Sequence, residues 1–372
     1  MLGDGIKHGC VFLFFAACTE RSERLTMTHA TTTVGKTQLM AVLLASAVFS
    51  ASAQMGHPGD NQGYATDKFE GFESIDRDDS VPQKEKSFWY SVSEPTAAAQ
   101  LAHAVKLESE GRNRSARKAY EALIREWPAV PQAATAQLNL AHLYETTGKY
   151  EKSFDEYQYL LTFFAGNCPY NEVLDRQFRI ANFLLHNNRS MFGWLLSGTG
   201  PIRERFEQIV RDAPRSALAP EAMLIIGSLR VSEGEREEAI KVYDGILNRF
   251  PNTPQATSSA FLAAQCRYDL AVKHNYNEPR CREAIAFFKA VLARIPNHPQ
   301  KWQMTQWLNE LTALLIEQNY QQAVFYDTRQ RNPEAAKAAY RRFLSEFSDS
   351  KYAPQVRGRL EKLEKGVPPP VK

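Results

Sequence analysis

The side chains that could do chemistry are scattered along this chain of 372 residues. Val34-Gly35-Lys36-Thr37 imitates the end of a phosphate loop, in which backbone amides and a lysine cradle an anion. The glycine needed five positions before Gly35 is missing, because Ala30 stands there. His57, His103, His142, His186, His274 and His298 lie far apart. No pair has the helical spacing, with a glutamate between, that zinc chemistry uses. The acidic cluster Asp76-Arg77-Asp78-Asp79 lacks the glycine and distal glutamate of a calcium loop and reads as a solvated linker. No serine, cysteine or carboxylate pair sits in a recognisable nucleophilic or acid–base setting. The expectation is a protein that is not an enzyme, with no catalytic residue, no metal and no cofactor.

Three cysteines follow the N-terminal region. Cys266 falls late in one predicted helix and Cys281 early in the next, and antiparallel helices bring such ends together. One reading is a disulfide, which needs a Cα separation below roughly 7 Å. The other is two packed core thiols. Cys168 has no partner in either reading and is expected to be buried.

What positions these residues is a repeat. In the stretch Gly234–Pro251 an apolar or small residue follows the glycine at offsets five, nine, thirteen and sixteen, as Ala239, Tyr243, Leu247 and Phe250. Those offsets share one helical face. The glycine ends the preceding helix and Pro251 ends this one. The pattern recurs from Gly111, Gly148, Ser197, Pro279 and Arg331. From Gly111 it gives Ala116, Tyr120, Ile124 and Trp127; from Gly148, Ser153, Tyr157, Leu161 and Phe164; from Arg331, Ala336, Tyr340, Leu344 and Phe347. Units of this kind bury their apolar faces only by stacking. The fold class is therefore all-α, a helical-hairpin solenoid of five to six repeats over 95–365 with a C-terminal capping helix over Tyr352–Lys365. The composition, 44% apolar with a net charge of +3, supports a sizeable core and gives no clustered basic footprint for nucleic acid.

The turn glycine, the small residue five on, the aromatic nine on and the closing proline resemble the tetratricopeptide repeat, best over 135–165 and 221–251. That resemblance implies protein-binding work. It places groove residues thirteen, ten, six and three positions before the turn: Thr135, Leu138, His142 and Glu145 in the second unit, and Glu221, Leu224, Ser228 and Val231 in the fourth. Such a mixed lining suits an extended or helical peptide; read without the family, these are ordinary solvated helix positions.

Residues 1–53 read as an export region. Lys36, the apolar run Leu39–Ala53 and its Ala51-Ser52-Ala53 ending form a secretory signal, with Met27 as its natural start and cleavage before Gln54. The rival reading makes Cys18, after the run from Val11, a lipidation site. Residues 54–94 are expected to be a flexible leader ending in Phe88-Trp89-Tyr90. Those aromatics read either as a cap over the first repeat or as a contact for a partner or membrane surface. Within the third unit, Met191, Phe192, Trp194 and Leu195 lie on a loop over 187–200. They either tuck back on the solenoid or form a docking surface. Residues 366–372 are expected to be a disordered tail.

Ala323, Phe325 and Tyr326 before a turn, Ala336 with Tyr340, Phe347-Ser348-Asp349-Ser350 and Tyr352 together resemble the BamD family (also called YfiO), the repeat lipoproteins of outer-membrane β-barrel assembly. Ala213-Pro214-Arg215-Ser216 followed by Pro220-Glu221-Ala222 has the same look. The resemblance spans about 95–363. It implies a periplasmic scaffold associated with the inner face of the outer membrane. Its protein partners would be a barrel-assembly subunit and unfolded outer-membrane proteins, with no nucleic acid. The lipidated cysteine of that family has no counterpart at Gln54. A second function class is an exported repeat protein coordinating envelope division or peptidoglycan synthesis, resembling the Tol–Pal partner. The heptads that partner carries ahead of its repeats are absent from 54–94.

Overall fold

A computed structural model describes residues 82–187, 198–273 and 277–367. The described residues form thirteen α-helices: α1 (Ala97–Ser109), α2 (Asn113–Glu126), α3 (Pro131–Thr146), α4 (Tyr150–Phe164), α5 (Tyr170–Asn187), α6 (Gly200–Asp212), α7 (Ala219–Glu233), α8 (Arg236–Arg249), α9 (Pro254–Lys273), α10 (Glu278–Arg294), α11 (Lys301–Val324), α12 (Pro333–Glu346) and α13 (Ala353–Glu364). Each helix packs chiefly on the next, and α1 also touches α3, α7 touches α9 and α9 touches α11. This is the contact pattern of stacked hairpins.

The template positions make the core. Offset five is fully or nearly fully buried in all six units, as Ala116, Ser153, Ile202, Ala239, Ala284 and Ala336. Offset nine is equally buried, as Tyr120, Tyr157, Phe206, Tyr243, Phe288 and Tyr340. A small residue lets the neighbouring helix approach, and the ring fills the space behind it.

The turns are built alike. Gly111, Gly148 and Gly234 have φ of 73°, 72° and 90°, the left-handed region where glycine carries no Cβ penalty. In the first unit Gly111 N–H donates to the Glu108 carbonyl and Arg112 N–H to that of Leu107, and the second and fourth turns repeat this. Arg331 takes the same place with φ 50°. The fifth unit departs from expectation: Pro279 lies in the first turn of α10, and Asn277 caps that helix by accepting from the Arg280 N–H. Ser197 lies outside the described residues.

The leader is fixed from Lys84 onward. Its backbone N–H donates to the Tyr159 hydroxyl at 3.1 Å. Its ammonium donates to Gln137 at 3.1 Å and pairs with Glu156, 4.7 Å over the Tyr159 ring. Arg125 donates to the Glu85 carbonyl and lies 4.6 Å over the Tyr90 ring. Phe88 and Trp89 do not cap the first repeat: they are 92% and 79% exposed. The apolar energy a cap would gain is thus left unused, and the anchoring is polar.

Candidate partner-binding surface

The candidate groove residues divide sharply between the two units. On α3, Thr135 and His142 are exposed and Leu138 is half-buried. Glu145 is half-buried and already engaged: it accepts from the Tyr157 hydroxyl at 2.8 Å and from Arg176 of α5 at 3.3 Å. On α7 the groove positions largely close. Leu224 is 7% and Ser228 4% exposed, so neither is available to a ligand. The cause is composition. Residues 219–229 are buried apart from Glu221, and a helix apolar on nearly every side is a core helix. Ser228 satisfies its hydroxyl internally, donating to the Leu224 carbonyl at 3.0 Å and lying 3.4 Å from the Tyr243 hydroxyl. Glu221 and Val231 are half-buried, and burial pushes the Glu221 carboxyl above its ordinary range.

The sequence reading did not anticipate a clasp that recurs between the paired helices. The offset-nine tyrosine reaches back to a carboxylate late in, or just past, the preceding helix: Tyr120 to Glu108 at 2.6 Å, Tyr157 to Glu145 at 2.8 Å and Tyr340 to Asp327 at 3.1 Å. Burial, reinforced by the neighbouring carboxylate, raises the pKa of all three tyrosines, so they stay protonated donors. The signal was present as an acid twelve residues before the tyrosine in the first two units. In the last unit the spacing is thirteen, because α11 runs into a π-turn over Phe325–Arg329 that inserts one residue. That turn delivers Asp327, 3% exposed, to Arg359 of α13, which donates to both carboxylate oxygens at 2.7 and 2.9 Å.

A second kind of bond, from a buried glutamine, joins neighbouring early helices. Gln100, Gln137 and Gln177 are all fully buried; the first two donate to carbonyls nineteen positions on, those of Ala119 and Glu156, and Gln177 donates to the Gln158 side chain nineteen positions back, on α4. Buried amides that find partners fix helix register.

The remaining expectations fall as follows. Cys266 and Cys281 are both buried and both free thiols, so the bridge is not formed. Burial pushes the Cys266 thiol up to about 12 and raises Cys281 as well, which makes both poor thiolates. Cys168 is half-buried rather than buried. Met191, Phe192, Trp194, Leu195 and Cys18 lie outside the described residues. Among the described residues no group of three metal-ligating side chains converges, and no helix is long and apolar enough to cross a membrane.

Paired helices, left-handed turns and small-then-aromatic packing define a tetratricopeptide array, and residues 101–172 match the tetratricopeptide repeat family model. Residues 218–367, from α7 to past α13, match the outer membrane lipoprotein family YfiO. The chain is a tetratricopeptide-repeat protein whose last three repeats and closing helix are BamD-like. The match is narrower than the expected 95–363. No curated protein sequence matches the chain. Similar solved structures include the MamA protein at 13% identity, covering 56% of this chain and 94% of that one with a TM-score of 0.28. A tetratricopeptide repeat protein from Parabacteroides merdae has 15% identity, coverage of 72% and 98% and a TM-score of 0.29. A thermophilic tetratricopeptide protein of Thermus thermophilus has 15%, 59% and 100%, and 0.27.

Proposed function

We propose that this chain is a periplasmic scaffold of outer-membrane β-barrel assembly, held at the inner face of the outer membrane and gripping a barrel-assembly subunit or unfolded outer-membrane proteins. The observation that carries this reading is the match of 218–367 to the outer membrane lipoprotein family. The repeats support it, because stacked hairpins offer long surfaces for peptides and partner subunits. On this reading the partner-binding residues of the second unit are Thr135, Leu138 and His142. Glu145 serves the groove indirectly, by locking α4 and α5 around it.

Depletion of the protein in its own cell tests the role. Barrel-protein levels should fall and the outer membrane should become permeable to large antibiotics. Unchanged barrel levels and permeability would overturn the proposal. A photo-reactive side chain at Thr135 should cross-link a barrel-assembly protein, and the same probe at exposed Glu361 on α13 should not.

A further inference from the structure

The turn Ser87–Tyr90 displays two adjacent aromatics to solvent. Phe88 is 92% and Trp89 79% exposed, with ring centroids 5.9 Å apart in an edge-to-face arrangement. An isolated exposed aromatic needs no explanation, but two neighbours held in a fixed turn do. The turn is closed by the Tyr90 N–H donating to the Ser87 carbonyl at 3.0 Å. On one side Lys86 pairs with Glu126 at 2.9 Å and Arg125 grips the Glu85 carbonyl. On the other, Arg125 stacks on Tyr90. Lys84 pins the incoming chain to α3 and α4. The scaffold thus spends four anchoring contacts on a loop whose tip stays out of the core.

The chemistry around the tip selects its occupant. Lys86 is mostly exposed at 68%, and the Tyr90 hydroxyl feels chiefly the Glu121 carboxylate, which raises its pKa against the opposing Arg125 and Arg117. Across Glu85–Tyr90 and α2 with its cap, the bases Lys86, Arg112, Arg114, Arg117, Lys118 and Arg125 outnumber the acids Glu85, Glu121 and Glu126; Lys86, Arg112 and Arg125 pair with Glu126, Glu110 and Glu121, and the excess rests on Arg114, Arg117 and Lys118. Arg114 and Lys118 are exposed on α2, one turn apart. Tryptophan and phenylalanine beside exposed lysine and arginine suit the interface of a bilayer with anionic headgroups: rings enter the acyl boundary and the cations stay at the headgroups.

We propose that Phe88 and Trp89 form a membrane-contact wedge that seats the first repeat on an anionic lipid surface. The wedge stands where the leader meets the solenoid, so it fixes the face of the first repeat that looks at the lipid. This deepens the envelope location given above and does not depend on the assembly role. Failure of one leaves the other standing.

The test is co-sedimentation of the exported protein with vesicles of phosphatidylethanolamine and phosphatidylglycerol, and separately with phosphatidylcholine alone. The variant Phe88→Ser with Trp89→Ser is run beside it, and far-ultraviolet circular dichroism checks its fold. Both side chains are exposed, so the variant should fold normally. The expected result is binding to the anionic vesicles that weakens with salt and falls roughly tenfold to a hundredfold in the variant. Equal binding by variant and parent, or no binding to anionic vesicles by the parent, would overturn the proposal. So would loss, in the variant, of a co-purifying envelope protein with no change in vesicle binding, which would assign the wedge to a protein partner.

Discussion

The Asp327 clasp makes the sharpest demand on the last repeat. Asp327 is 3% exposed, and Arg359 shows 13% of its side chain. The carboxylate takes two bonds from Arg359 and one from the Tyr340 hydroxyl. Replacing Asp327 with alanine takes the carboxylate from a mostly buried guanidinium, which keeps a 3.4 Å contact to the Val367 carbonyl. Breaking a buried pair from one side costs about 3–5 kcal/mol. Because Arg359 keeps some solvent, the lower end applies, about 3 kcal/mol. Tyr340→Phe removes only a hydrogen bond and should cost about 1 kcal/mol. Asp327→Ala combined with Arg359→Met removes both charges and should recover about 1–2 kcal/mol relative to Asp327→Ala alone. A repeat array opens locally, so the readout is amide hydrogen exchange over Ala353–Glu364 and Pro333–Glu346 rather than a single melting curve. Exchange should quicken in α12 and α13 and stay unchanged in α3 and α4. If Asp327→Ala left α13 protected, or if the double variant were as unstable as the two single losses added, the clasp would not be what holds the closing helix.

Two further substitutions probe backbone and packing. A Cβ built on Gly227 would stand 2.4, 2.7 and 2.9 Å from three ring carbons of fully buried Tyr243; Gly227→Ala should therefore cost about 2 kcal/mol despite a helix-propensity gain of about 1 kcal/mol, and Tyr243→Leu in the same chain should relieve part of it, as urea unfolding would report. Arg331 holds φ 50° where three other units place glycine, so Arg331→Gly should raise the stability of the last unit by up to about 1 kcal/mol and Arg331→Val should lower it by a similar amount, read by hydrogen exchange in α12.

Much of the architecture was legible because the repeat writes its constraints into local spacing. Turn glycines, a small residue and an aromatic each obey helical periodicity, and their burial follows. What spacing alone could not carry was the choice between exposed and buried at equivalent positions. His142 and Ser228 occupy the same register six before the turn, yet one is exposed and the other 4% exposed. The difference lies in the neighbours: Met223, Ile225 and Ile226 make α7 apolar all round, whereas α3 keeps polar residues between its alanines. Pro279 misled in the opposite direction, since proline fits the first turn of a helix as well as the break before one. The Asp327 site was hidden by the π-turn, which moves the acid one place off the spacing seen with Glu108 and Glu145.

The contacts of this chain run chiefly from each helix to the next, with a few from one first helix to the following one. Strain or damage in one hairpin therefore dissipates within its immediate neighbours. The surface around Thr135 and the clasp at Arg359 are built on helices that share no strong contact. Substitutions can accumulate at one end without retuning the other, so the two ends are free to diverge at different rates and toward different partners. A protein made this way can keep the packing of its closing helix while the surface of its first repeats changes.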